Sequence, residues 1–101
     1  MLIPQNGLPT SPGEFLKHEF LEPWGLSQVA FARHVGWTPA RLSELLKGKR
    51  AVTVETALVL EDATGMPAEF WLNAQRALDL AKAKQTHRPV PPLPQSQRAS
   101  A

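Results

Sequence analysis

The sequence is 101 residues long and 43% hydrophobic, which suits one small globular domain and not a disordered chain. It has no cysteine, which excludes disulfides, thiolate zinc sites and cysteine nucleophiles, and its formal net charge is only +2. No apolar run approaches the roughly 18 residues of a membrane span. The N-terminal MLIPQNGLPTSPGE also lacks the basic start and apolar segment of a signal peptide, so a cytoplasmic protein without membrane contact is expected.

Residues 1–11, with Pro4, Gly7, Pro9, Thr10 and Ser11, read as a flexible, irregular arm. Ser11 then caps a first helix with Pro12 at its first position. Phe15, Leu16 and Phe20 form its apolar side, and Glu22-Pro23 ends it, because the residue before proline avoids the helical region. Ser27 caps a second helix over 28–35, with Leu26 and Phe31 spaced as a hydrophobic staple and Gly36 as its left-handed stop. Thr38 caps a third helix with Pro39 at N1 and a second staple pair, Trp37 and Leu42. This helix runs to about Lys47 and stops at Gly48. Thr53 caps a fourth helix over 54–64, closed by Gly65, and Pro67 opens a fifth that reaches roughly Lys84. From Gln85 onward, QTHRPVPPLPQSQRASA has four prolines and few core formers, and reads as a disordered or polyproline-like tail. The expected fold is therefore all-α: a five-helix domain over 11–84 followed by a disordered Pro-rich tail over 85–101. So small a core suggests oligomerisation.

The second and third helices carry the functional signal. Two short helices joined by a glycine-containing turn, the second with a polar outer face, describe a helix-turn-helix. Leu42, Leu45 and Leu46 share one face of the third helix, which leaves Ala40, Glu44 and Lys47 opposite, flanked by Arg41 and Ser43. Charge is concentrated here. Residues 27–54 carry Arg33, Arg41, Lys47, Lys49 and Arg50 against Glu44 alone, a net of +4, between two acidic segments. In a major groove, Thr38 and Ala40 suit a thymine methyl, and Ser43 can donate or accept. Glu44 can accept from a cytosine amino group, and Arg41 suits guanine or a phosphate. Gln28, at the first turn of its helix, and Lys47, Lys49 and Arg50 suit the phosphate backbone. Arg33 reads as a surface charge.

In the fifth helix Phe70, Ala74, Ala77, Leu78 and Ala81 form an apolar stripe, with Trp71, Leu72 and Leu80 off it. A small domain cannot readily bury both sides of one helix, so a homodimer seam involving Phe70, Trp71, Ala74 and Leu78 is expected beside the alternative of packing on the first helix. Glu14, Glu19, Glu22, Glu55, Glu61, Asp62 and Asp79 suit a basic partner, or serve as solubilising charge. His18 and Glu22 stand four apart on a helix, yet the second histidine of a zincin motif is missing. No Gly-rich phosphate loop or triad spacing occurs. Neither enzyme activity, nor a metal, nor a cofactor is expected. The PxxP registers in RPVPPLP read as a loose tail and not as an SH3 ligand.

LSQVAFARHVGWTPARLSELLKGKR, residues 26–50, resembles the lambda-repressor-like (Xre-type) DNA-binding domains, and AVTVETALVLEDATG looks like their following helix. The flanks SPGEFLKHEFLEPWGLSQ and MPAEFWLNAQRALDL look like the HigA-type antitoxins of type II toxin–antitoxin modules. The resemblance covers about residues 11–84. It implies a five-helix lambda-repressor-like domain that binds double-stranded operator DNA as a dimer and represses its own operon. It also implies a small basic RelE-like mRNA-interferase toxin (HigB-type) as the neutralised partner. The family's recognition positions fall on Thr38, Pro39, Ala40, Arg41, Ser43 and Glu44. Its backbone-contact positions fall on Gln28, Lys47, Lys49 and Arg50. The departures are Pro39, Ala40 and Glu44, where longer hydrogen-bonding side chains are common. A stand-alone Xre-type repressor with no toxin partner is the competing expectation.

Overall fold

The structure is a computed structural model that describes residues 7–94. These residues form five helices: α1 over Pro12–Leu16, continuing without a break as a π-helical turn over Lys17–Leu21, then α2 over Gln28–Val35, α3 over Pro39–Leu46, α4 over Val54–Thr64 and α5 over Ala68–Thr86. The expectations for residues 1–6 and 95–101 lie outside the described residues. Residues 87–94 are exposed and without regular structure, and the chain leaves α5 in the extended conformation (φ −66°, ψ 133° at His87).

Local chemistry sets the helix starts. Ser11, Ser27, Thr38 and Thr53 each accept a hydrogen bond from the amide three residues on, at 3.1, 3.0, 3.1 and 3.2 Å. Each bond satisfies one amide that the helix itself leaves unpaired. Gly36 ends α2 at φ 78°, and the Trp37 amide donates to the Ala32 carbonyl at 2.9 Å, which closes a Schellman turn. α5 departs from the sequence expectation at both ends. Pro67 is the cap residue and not the first helical one, and the helix runs two residues past Lys84. Pro67 offers no side-chain cap, so Glu61 of α4 supplies one: its Oε2 accepts from the Ala68 amide at 2.9 Å. Glu61 is thus a structural cap in addition to being a surface acid.

The π turn explains how α1 reaches its neighbours. In a regular α-helix, residues five apart point about 140° away from each other. The Glu22 amide bonds instead to the Lys17 carbonyl at 2.9 Å, an i→i+5 link that widens the turn. Phe15 and Phe20 can then both face α5. Their rings lie 6.1 Å apart, and each lies 5.9 Å from the Trp71 ring. Leu16 and Leu21, also five apart, are both buried.

α1 packs against α3 and α5, α4 lies along α5, and α2 packs on α3. One core joins Leu16, Leu21, Phe31, Trp37, Leu42, Leu45, Val52, Leu60 and Trp71. Trp71 sits at its centre with no solvent exposure, and its Nε1–H has no hydrogen-bond partner among the described residues. Three aromatic rings, Phe15, Phe20 and Phe70, interlock around it in tilted and edge-on contacts. α1 approaches α3 closely enough that a β-carbon on the buried Gly13 would overlap the Leu45 carbonyl oxygen and lie 2.8 Å from the Leu46 α-carbon.

Candidate nucleic-acid interface

The leucines of α3 turn inward as its spacing predicts: Leu42, Leu45 and Leu46 are buried. Thr38, Pro39, Ala40 and Glu44 are exposed, with Arg41 and Ser43 half-buried beside them. α3 therefore presents an uncovered polar flank of about two turns, the size of rod a major groove admits. Val29 and Arg33 of α2, four residues apart and both exposed, share a shallow recess of about 260 Å³ with Trp37 and Pro39. This places Arg33 next to the start of α3 and makes it a candidate phosphate contact that the sequence reading treated as a bare surface charge. The i, i+4 spacing of Val29 and Arg33 on α2 was the available signal. Gln28 is exposed at the first turn of α2, among amides directed outward.

The cations have different surroundings. The Arg41 guanidinium lies 4.7 Å from the Trp37 ring centroid, and its Nη2 donates to Thr56 Oγ1 at 3.5 Å. It is braced against its own fold by a cation–π contact, so its reach toward a base edge is shorter than the sequence suggests. Lys47, also exposed, lines a recess of about 170 Å³ with Leu8, Pro9, Ser11, Glu14, Leu78 and Lys82. It stands where the N-terminal arm meets α5. Lys49 and Arg50 are exposed in the loop after α3. Arg50 donates through Nη2 at 2.7 Å and Nε at 3.2 Å to Glu44 Oε1. That loop is fixed to the body of the domain at Val52, whose amide donates to Gln75 Oε1 at 2.8 Å. Gln75 in turn donates from Nε2 to Asp79 Oδ1 at 2.9 Å. A glutamine 23 positions away was not legible as a support for this loop.

The geometry agrees with what the chain is similar to. A helix-turn-helix family profile matches residues 19–71. The virulence-associated protein I of Dichelobacter nodosus is 40% identical over 93 residues, spanning 89% of this chain and 86% of that protein. The antitoxin HigA-1 of Vibrio cholerae is 44% identical over 72 residues, spanning 71% and 68%. The chain belongs to the HigA-type antitoxins of the helix-turn-helix family. The structure of the Pseudomonas aeruginosa antitoxin HigA with the higBA promoter superposes with a TM-score of 0.76 at 30% identity, covering 85% of this chain and 99% of that one. As a HigA-type domain the chain is a DNA-binding transcription regulator. Among the described residues no helix is long and apolar enough to cross a membrane.

The HigA-type domain leaves a second surface to explain. Of the seam residues expected from sequence, Trp71 is fully buried and Leu78 is 6% exposed, so both belong to the protomer interior. Phe70 is half-buried against Phe15 at 4.6 Å, and Ala74 is also half-buried. Of the large apolar side chains of α5, Leu80, off the stripe, is exposed, and Leu72 is half-buried. Leu72 and Leu80, with Arg76 and Asp79, line an open groove against Val54 of α4. Leu58, one turn beyond Val54, extends the same side.

Proposed function

We propose that this chain binds operator DNA as a homodimer, represses its own operon and neutralises a small basic RelE-like mRNA interferase. The observation that carries the DNA half is the uncovered flank of α3 with Lys49 and Arg50 beside it. Two half-sites about one helical turn apart require two such flanks, hence a dimer. Its seam is the α4–α5 groove, because Val54, Leu58 and Leu80 are large apolar groups the protomer leaves in water, with half-buried Leu72 lining the groove between them. The groove replaces the Trp71 and Leu78 seam, whose side chains are already spent on the core. Leu80→Asp should weaken dimerisation by at least about 100-fold, since a buried unpaired carboxylate replaces an apolar contact. Light scattering should then show monomers with unchanged helicity. A persistent dimer would remove the groove as the seam.

The toxin half rests on the family and on a third surface. Trp24 is 54% exposed in the turn after α1, yet its ring is held edge-on by Phe20 at 5.2 Å. It borders a recess of about 280 Å³ with Leu26, Ala30, Phe31, His34 and Ala63. A neighbouring recess shares His34 and Ala63 and adds Asp62. A rigid exposed tryptophan with acidic residues Glu22 and Asp62 nearby suits a basic protein partner. Trp24→Ala should lower affinity for a co-expressed toxin by about 30-fold or more and leave the melting temperature nearly unchanged. Calorimetric titration against the purified toxin reads both the stoichiometry and the loss. An adjacent reading frame whose product neither arrests growth nor co-purifies with this chain would instead favour the stand-alone repressor.

A further inference from the structure

Glu44 is the sole acid between Ser27 and Val54, and it stands on the exposed flank of α3. A carboxylate there faces phosphates and opposes binding to every duplex alike. The structure shows what it does in the free protein. Both hydrogen bonds from Arg50 end on a single oxygen, Oε1, and Oε2 accepts none among the described residues. The two side chains are equally exposed, at 49%. So exposed a pair is weak in water, which leaves it open to exchange with a better-placed donor, and it tightens where a docked duplex excludes solvent around it. We infer that Glu44 and Arg50 form an electrostatic filter: Glu44 withholds Arg50 from phosphates on random DNA and releases it only where a cytosine amino group takes over the carboxylate. The inference rests on the DNA-binding reading above and adds a specificity role for a residue pair that no single contact explains.

The physical logic is a comparison of two complexes. On random DNA the carboxylate finds no donor in the groove. It keeps Arg50, so one phosphate contact per protomer is lost and one negative charge stays among phosphates. On a site with cytosine at the matching position, the N4 amino group donates to Glu44. Arg50 then turns outward to a phosphate. The pair thus weakens the random complex more than the specific one, which widens their ratio by negative selection.

The test uses the full chain and a random-sequence duplex long enough for both half-sites, with anisotropy titrations across a salt series. Glu44→Gln keeps the side chain's shape and removes its charge. It should tighten random-duplex binding by roughly 5–10-fold per protomer at 0.1 M salt and steepen the log–log salt slope by about 0.9 per protomer, one added phosphate contact. In an Arg50→Ala background the change in slope should vanish. Glu69→Gln, the same charge change on α5, should leave the slope as it is. Selection of bound sequences from a random pool should show one cytosine preference per half-site in the wild type and none in Glu44→Gln. An unchanged slope in Glu44→Gln overturns the filter while leaving DNA binding intact. A wild type that binds no duplex removes the DNA-binding reading, and the filter with it.

Discussion

Gly13→Ala is expected to lower the melting temperature by roughly 10–20 °C, although alanine is the better helix former. Gly13 is helical and its φ is not among the positive ones, so alanine suits its backbone and improves helix propensity by up to about 1 kcal/mol. The opposing effect is steric. The added β-carbon overlaps the Leu45 carbonyl oxygen and comes within 2.8 Å of the Leu45 carbonyl carbon and the Leu46 α-carbon. All three are backbone atoms, which cannot rotate away as a side chain can. α1 must then shift off α3, disturbing Leu16, Leu42 and Leu45 in the shared core. Overpacking of this kind costs about 1–3 kcal/mol, and rigid backbone neighbours place Gly13 at the upper end. For a domain of this size each kcal/mol moves the midpoint by about 4–8 °C. Gly65→Ala gives the comparison: its φ of 83° is strained for alanine but no atom lies within 4 Å of the added carbon. Its loss should be the smaller, about 1–2 kcal/mol. Circular-dichroism melts of the two variants decide the matter, and a Gly13→Ala midpoint equal to or above the wild type would refute the close approach of α1 to α3.

The same contrast separates what the sequence discloses from what it hides. Ser11, Ser27, Thr38 and Thr53 cap helices where expected because capping is a contact between residues three apart. Gly36 and Gly65 stop helices for an equally local reason, a positive φ. α2, α3 and α4 follow from these signals. An ordinary helical period on FLKHEFL hides the π turn, whose sequence signal is the repeat of Phe-Leu at five-residue spacing. Gly13 could not be ranked without knowing that α3 lies over it. Glu61 at the Ala68 amide and Gln75 at the Val52 amide were hidden for the same reason, since both join separate elements. At the interface, burial of the leucines correctly predicted which flank of α3 is exposed. Burial says nothing about how long side chains pair once exposed, so the bracing of Arg41 on Trp37 and the Glu44–Arg50 pair needed coordinates.

Affinity for operator DNA should fall by about 10³–10⁵ between 50 and 200 mM salt if the proposed dimer makes about 6–10 phosphate contacts. The side chains available to each half are Gln28, Arg33, Lys49 and Arg50, all exposed beside or just beyond α3. Of these, the cations release counterions, whereas Gln28 contributes a neutral hydrogen bond and leaves the salt slope alone. Lys49→Ala should therefore reduce the slope by about 0.9 per protomer on operator and random duplex alike. Lys47→Ala should reduce it less, because Lys47 lines the recess between the N-terminal arm and α5, beside Glu14. Ser43→Ala removes no charge, so its slope should match the wild type while the preference among sites changes. Anisotropy titrations at four or five salt concentrations separate these outcomes. A flat salt response would mean that the cations after α3 never meet the phosphates. Equal slopes lost by Lys47→Ala and Lys49→Ala would mean that the arm recess opens onto the DNA, which would extend the footprint from α3 to the start of the chain.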